Sequence, residues 1–145
     1  MQNIDIYLHF NGNSEQAFSF YRSVFGGEFI AAQRYRDMPG GDKMKAEDQE
    51  KMMHIAMNIT PHTTLMGTDM LLKKDDDLKV GNNFHICIQA EDEKEANKLF
   101  QALSEDGKIE MPMNKTFWGA YFGMCQDKFG LFWMINFTFT QTQKI

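Results

Sequence analysis

Three of the four histidines lie in apolar runs that read as β-strands: His9, His54 and His85. Side chains along a strand point alternately to its two faces, and this alternation places all three imidazoles opposite the larger apolar residues. Imidazoles at such positions can hold a divalent metal, bind an anion or move a proton near neutral pH. The alternative is a histidine that is simply hydrogen-bonded within a polar strand face.

The same alternation assigns a face to the neighbouring residues. We expect one face of the first and fifth strands to pack under a helix, and the family resemblance described below implies that the other face lines a cleft. The helix-side group is Ile4, Ile6, Leu8, Phe10, Phe84, Ile86 and Ile88, and the cleft-side group is Asp5, Tyr7, His9, His85, Cys87 and Gln89.

Aromatic residues near the end of the chain are further candidates for ligand binding. Trp118 and Tyr121 follow Lys115 in a loop and strand that should cross the second cleft, where aromatics supply large apolar contacts with polar handles. Phe122 is explained equally well by core packing. We therefore predict Tyr7, His9, His54, His85, Gln89, Trp118 and Tyr121 as ligand-binding residues.

Two segments carry the same helical pattern. Each has a capping residue, Asn13 or Asp92, a Glu or Gln three positions later, and an apolar stripe of identical spacing. The stripes are Ala17, Phe20, Tyr21 and Val24 in the first segment and Ala96, Leu99, Phe100 and Leu103 in the second. A strand precedes each helix and three predicted strands follow it, which indicates a β-α-β-β-β unit that occurs twice.

This repeat predicts an α+β fold of two tandem βαβββ modules, to which the family resemblance described below adds curved mixed sheets with concave clefts. Module one should span about 1–72, a linker 73–83 and module two about 84–140, all within one domain covering 1–145. The polar segment between the second and third strands should be a long loop. The strands after each helix are predicted at 28–35, 51–60, 64–72, 109–113, 121–126 and 131–138.

Composition restricts the class of protein. The formal net charge of −5 argues against a nucleic-acid binder, which needs a positive surface. No apolar run is long enough to cross a bilayer, so we expect a cytoplasmic protein with no membrane partner. Cys87 and Cys125 lack metal-ligand pair spacing, and we expect both to be buried free thiols.

Several segments resemble one known family. The sequences Tyr7 to Asn13, Phe25-Gly26-Gly27-Glu28, Leu65 to Asp69, Trp118-Gly119 and Asp127 to Asn136 are similar to the PhnB-like subgroup of the vicinal oxygen chelate superfamily. That superfamily includes glyoxalases, bleomycin-binding proteins and extradiol dioxygenases. The resemblance implies paired βαβββ modules, a cleft in each curved sheet and a homodimer.

The resemblance also implies a possible divalent-metal site, to which His85 would contribute as the family histidine of module two. The expected acids are absent, because Met134 stands near one acid position and Leu65-Met66-Gly67 replaces the other. We therefore expect a protein that binds a small molecule without a complete family metal site and without a cofactor. The alternative is a metal-dependent isomerase, lyase or dioxygenase.

Overall fold

The computed structural model describes residues 1–71 and 77–139. The chain divides into two compact units, Met1–Lys79 and Val80–Ile145. Each unit contains a strand, a long helix and three further strands in one four-stranded sheet, so the predicted βαβββ repeat and α+β class are confirmed. The unit boundary falls inside the predicted linker, although residues 72–76 and residue 140 lie outside the described part of the chain.

The first unit builds a mixed sheet in the order β1-β4-β3-β2, with β1 parallel to β4 and the other neighbours antiparallel. The predicted long loop between β2 and β3 contains two 3-10 turns and a short helix. The elements are β1 (Ile6–Phe10), α1 (Ser14–Phe25), β2 (Phe29–Arg34), α2 (Ala46–Gln49), β3 (Met52–Thr60) and β4 (Thr63–Asp69).

The second unit repeats this topology in the order β5-β8-β7-β6, with β5 parallel to β8. None of the helices in residues 1–71 and 77–139 is both long and apolar enough to span a membrane. The elements are β5 (Ile86–Gln89), α3 (Glu93–Ser104), β6 (Lys108–Lys115), β7 (Ala120–Gln126) and β8 (Phe132–Thr138).

Glycines let each long helix approach its sheet closely. A Cβ atom on Gly67 of β4 would lie 2.7 Å from Cε1 of Phe18 in α1, and one on Gly123 of β7 would lie 3.1 Å from Cε2 of Phe100 in α3. The side chains of Phe18 and Phe100 are buried at these contacts. The helix-facing side of each sheet is thereby fixed, and by alternation so is its opposite side.

The strand pattern holds within β1 and β5 but fails just before them. Leu8 and Phe10 are buried as predicted, whereas Ile4 is 74% exposed and Phe84 is 65% exposed. Both exposed residues precede the first paired residue of their strands, Ile6 and Ile86. The helix-packing prediction was therefore wrong for Ile4 and Phe84, because both lie before the paired part of their strands.

The two helix starts differ despite their similar sequences. Asp92 caps α3 by accepting a hydrogen bond from the Glu95 amide at 2.7 Å, and Glu95 Oε1 accepts one from the Glu91 amide at 3.0 Å. Asn13 makes no such side-chain bond. At α1 the Ser14 amide donates instead to the buried carboxylate of Asp69 at 2.9 Å. A tertiary contact has replaced the predicted local cap.

Candidate functional site

We use the term far face for the side of each sheet that points away from its long helix. The first far face presents Tyr7, His9, His54 and Met66. Tyr7 Oη lies 3.4 Å from His54 Nδ1, and the two rings stack at 5.8 Å. The Tyr7 ring also lies 5.5 Å from the ring of His9. Sequence alternation predicted the face on which each of these three side chains lies, and the structure shows in addition that they are neighbours.

The second far face carries an imidazole-carboxylate pair at one end. His85 Nε2 lies 2.8 Å from Glu110 Oε1, with the side chains 16% and 29% exposed respectively. The ring of His85 also lies 5.4 Å from the ring of Phe132. His85 adjoins β5 and Glu110 belongs to β6, so the pair links opposite edges of the sheet. Strong curvature of the sheet toward this face brings them together.

An amide network occupies the other end of the second far face. Asn136 Nδ2 donates to Gln89 Oε1 at 2.7 Å and to Thr138 Oγ1 at 3.0 Å. Gln89 Nε2 in turn donates to the sulfur of Cys87 at 3.4 Å. These bonds orient the polar atoms of β5 and β8 in one continuous group. Such preorganised donors and acceptors are typical of a binding surface.

Aromatic side chains adjoin the amide network. The ring of Trp118, which is 56% exposed, meets the ring of Phe122 edge-on at 6.4 Å. Phe122 is the strand partner of Asn136, so both point to the second far face. Tyr121 points the other way, because its hydroxyl donates to Asn97 of α3 at 2.7 Å. The predicted cleft position of Tyr121 was wrong, since it shares the helix-facing alternation of Gly123.

The two cysteines also lie on opposite faces. Cys87 is exposed on the second far face, which corrects the expectation of a buried thiol, whereas Cys125 is buried as expected. Partial burial raises the pKa of the Cys87 thiol above its ordinary value. Burial, reinforced by the charges of Asp127 and Glu110, raises the pKa of Cys125 to about 12. Both thiols are therefore protonated at neutral pH.

Comparison with known proteins agrees with this architecture. Residues 3–135 match the model of the glyoxalase/bleomycin resistance protein/dioxygenase superfamily. The chain belongs to this superfamily. Protein YjdN of Escherichia coli (strain K12) is 30% identical over 136 residues, covering 90% of this chain and 91% of its own length.

Two solved structures of superfamily members resemble the chain closely. Protein PA1353 from Pseudomonas aeruginosa has a TM-score of 0.78 and 34% identity over 95% of this chain and 98% of its own. The PhnB protein from Bacillus cereus has a TM-score of 0.75 and 25% identity over 94% of this chain and 100% of its own. The predicted PhnB-like resemblance is confirmed.

The side chains that the structure describes bring together only two donors of the kind that divalent-metal sites use, His85 and Glu110. Within residues 1–71 and 77–139, no group of three His, Cys, Asp or Glu side chains is placed to hold a metal ion. His85 and Glu110 supply one imidazole and one carboxylate, and the strand neighbour of Cys87 is the thioether Met134. Zinc and non-haem iron sites use at least three histidine, cysteine or carboxylate ligands.

Sequence analysis overlooked two residues of the second far face, Glu110 and Asn136. Glu110 lies in a strand that is exposed along nearly its whole length, so its pattern carried no face signal. Asn136 had a usable signal, because it alternates with the buried residues Trp133 and Ile135 in an apolar strand. A polar side chain in such a strand indicates a functional or hydrogen-bonded face.

Proposed function

We propose that this protein binds a small organic molecule on the second far face. The supporting observation is the arrangement of that face: an imidazole-carboxylate pair at one end, and an amide network beside an exposed tryptophan at the other. A largely apolar surface with a few oriented polar groups is the usual composition of a small-molecule site.

The arrangement also suggests which ligands fit. A planar or apolar group would stack on Trp118 and Phe122, because edge-on aromatic pairs leave ring faces free for further contacts. A hydroxyl, carbonyl or amide of the ligand would exchange hydrogen bonds with Gln89 and Asn136. The pair of His85 and Glu110, at the other end of β5, would exchange hydrogen bonds with a polar group of the ligand. The first far face, with Tyr7, His9 and His54, offers a second and simpler surface for such molecules.

A metal-dependent isomerase, lyase or dioxygenase is the second candidate function. The observation in its favour is the contact between His85 and Glu110, since these two side chains are the ligand types that such enzymes use. Elemental analysis of protein purified without an affinity tag separates the two candidates. A stoichiometric zinc, nickel, manganese or iron ion that is lost in His85→Ala would favour the enzyme.

A thermal-shift screen with a panel of metabolites and antibiotics tests the binding proposal. A ligand that binds the native state raises its stability by mass action, by about 2.7 kcal/mol at one hundred times the dissociation constant. We expect hits whose shift falls in Asn136→Ala. The matched control is Asn97→Ala on the helix side of the sheet, which should retain the shift. The proposal would be contradicted by ligands whose thermal shift falls equally in both variants. It would also be contradicted if no compound of a broad panel produced a shift.

We further infer that the protein is a cytoplasmic homodimer with an isologous interface, as its resemblance to paired-module relatives implies. Neither nucleic acid nor membrane is a partner in this account. Light scattering at micromolar concentration tests the dimer. A mass near twice 16.9 kDa is expected, and a monomeric mass would refute the inference.

A further inference from the structure

Four sulfur-containing side chains form one row across the second sheet. Cys87 of β5 is the register partner of Met134 in β8, Met134 is the partner of Met124 in β7, and Met124 is the partner of Met111 in β6. Every strand of the sheet thus contributes one sulfur atom at the same level. The row lies between the imidazole-carboxylate pair and the amide network.

The row lies on the second far face. Met124 is flanked in β7 by Gly123 and Cys125, and Met134 is flanked in β8 by buried residues of the helix side. Register shifts on both sides of Met111 leave it opposite Met124 despite the irregular course of β6. Directly opposed residues have Cβ atoms about 4.5–5.5 Å apart, and methionine side chains are long and flexible. The sulfur atoms of neighbouring strands can therefore converge on one point.

Core packing does not account for this row. Cys87 is exposed and Met111 is 48% exposed, so the row is open to solvent at both edges of the sheet. The methionine that packs on the helix side of this sheet is Met113, whose sulfur would lie 2.6 Å from a Cβ on Gly123. An accessible thiol beside three thioethers has instead the ligand composition that selects soft metal ions.

The neighbouring hydrogen bond supports this chemistry. Gln89 Nε2 donates to the sulfur of Cys87 at 3.4 Å, and Gln89 is itself held by Asn136. A donor aimed at the sulfur stabilises a thiolate and fixes its direction, as outer-shell residues do in metal sites.

We propose that Cys87, Met134 and Met124 bind one soft monovalent metal ion, Cu(I) or Ag(I), with Met111 at the edge of the site. On binding, the Cys87 thiol loses its proton to solvent, the thiolate bonds to the metal and the two thioethers complete the coordination without any change of oxidation state. The hard oxygen-preferring ions Mg²⁺ and Mn²⁺ are excluded by ligand type. The metal would lie on the same face as the proposed organic ligand, but its binding requires no organic ligand.

The test is a titration of the full-length, reduced, metal-free protein with Ag(I), and with Cu(I) under anaerobic conditions in competition with a chromophoric chelator. Native mass spectrometry gives the stoichiometry, and one ion per chain is expected. Cys87→Ser and Met134→Leu should each weaken binding by more than about 100-fold, because removing an outer-shell partner alone costs 10–100-fold. Gln89→Leu should fall within that smaller range. Met66→Leu on the first far face and Cys125→Ala are the matched controls and should retain wild-type affinity.

Three results would overturn the proposal: no stoichiometric Ag(I) or Cu(I), unchanged affinity in both Cys87→Ser and Met134→Leu, or loss of binding in Cys125→Ala alone. Thermal melts establish that each variant is folded. Met134→Leu conserves side-chain volume, so its metal affinity tests the proposal if Cys87→Ser is unstable. Asn136→Ala separates the two proposals, since it should abolish organic-ligand shifts but weaken metal binding no more than Gln89→Leu does.

Discussion

The imidazole of His85 contacts the carboxylate of Glu110 at 2.8 Å, although the two residues come from opposite edges of a four-stranded sheet. This contact shows that the second sheet curls toward its far face and gives His85 an acidic neighbour. The neighbour is not the acid that the resemblance led us to expect. Met134 of β8 stands near that position, and it belongs to the sulfur row. In the proposed function His85 therefore belongs to the binding surface for an organic molecule rather than to a divalent-metal site.

Glu110→Gln tests whether this pair serves binding or stability. Both side chains are partly exposed, and pairs of this kind contribute up to about 1 kcal/mol to the free energy of unfolding. We expect the free energy of unfolding, measured with urea, to fall by no more than that amount, while ligands found in the screen that contact this pair bind more weakly. Glu93→Gln, which removes the weaker contact with Lys115, is the control. A loss above about 2 kcal/mol would show that the pair holds the sheet together.

Gly67→Ala tests the close approach of α1 to its sheet. The added Cβ would meet Phe18 at 2.7 Å and Phe10 at 3.3 Å, and overpacking of this kind costs about 1–3 kcal/mol. Denaturant unfolding should show that loss, and adding Phe18→Leu should recover part of it. The control Gly81→Ala has only an ordinary contact, at 3.7 Å from Asn83. Equal stability of Gly67→Ala and Gly81→Ala would refute the packing.

The two helix starts give a paired prediction. Asp92→Ala removes a side-chain cap and should cost about 1 kcal/mol. Asn13→Ala removes no cap bond and should be nearly neutral, although the sequences around the two residues look alike. Thermal unfolding of both variants checks this difference. Equal losses would mean that Asn13 does cap α1.

The buried thiol of Cys125 predicts a loss of stability at alkaline pH. Its pKa rises from 9.0 to about 12 in the native state, so between these values the unfolded chain loses a proton that the folded chain retains. Stability should be unaffected below pH 9 and should fall as the pH rises toward 12. Over this pH range the free energy of unfolding should depend less on pH in Cys125→Ala than in the wild type. An unchanged slope would contradict the burial of the thiol.

Local patterns predicted most of the fold because alternation and helical stripes depend on neighbouring residues. The repeat, the strand centres and the positions of Tyr7, His9 and His54 followed from them. Long-range contacts did not. Glu110 meets His85 only because the sheet bends and β6 changes register, and Asp69 replaced the Asn13 cap from a distant strand. Cys87 is exposed because its side of β5 points away from α3.

Methionine-methyl NMR tests the central claim most directly, because Met124 and Met134 lie in the proposed binding surface. Protein labelled at the methionine methyl carbons is titrated with the best ligand from the screen, and single Met→Leu variants assign the signals. We predict that the Met124 and Met134 signals shift progressively and saturate, while that of Met38 in the first unit stays fixed. Shifts confined to Met66, or a Met124 and Met134 pair that stays unmoved at saturating ligand, would contradict binding on the second far face.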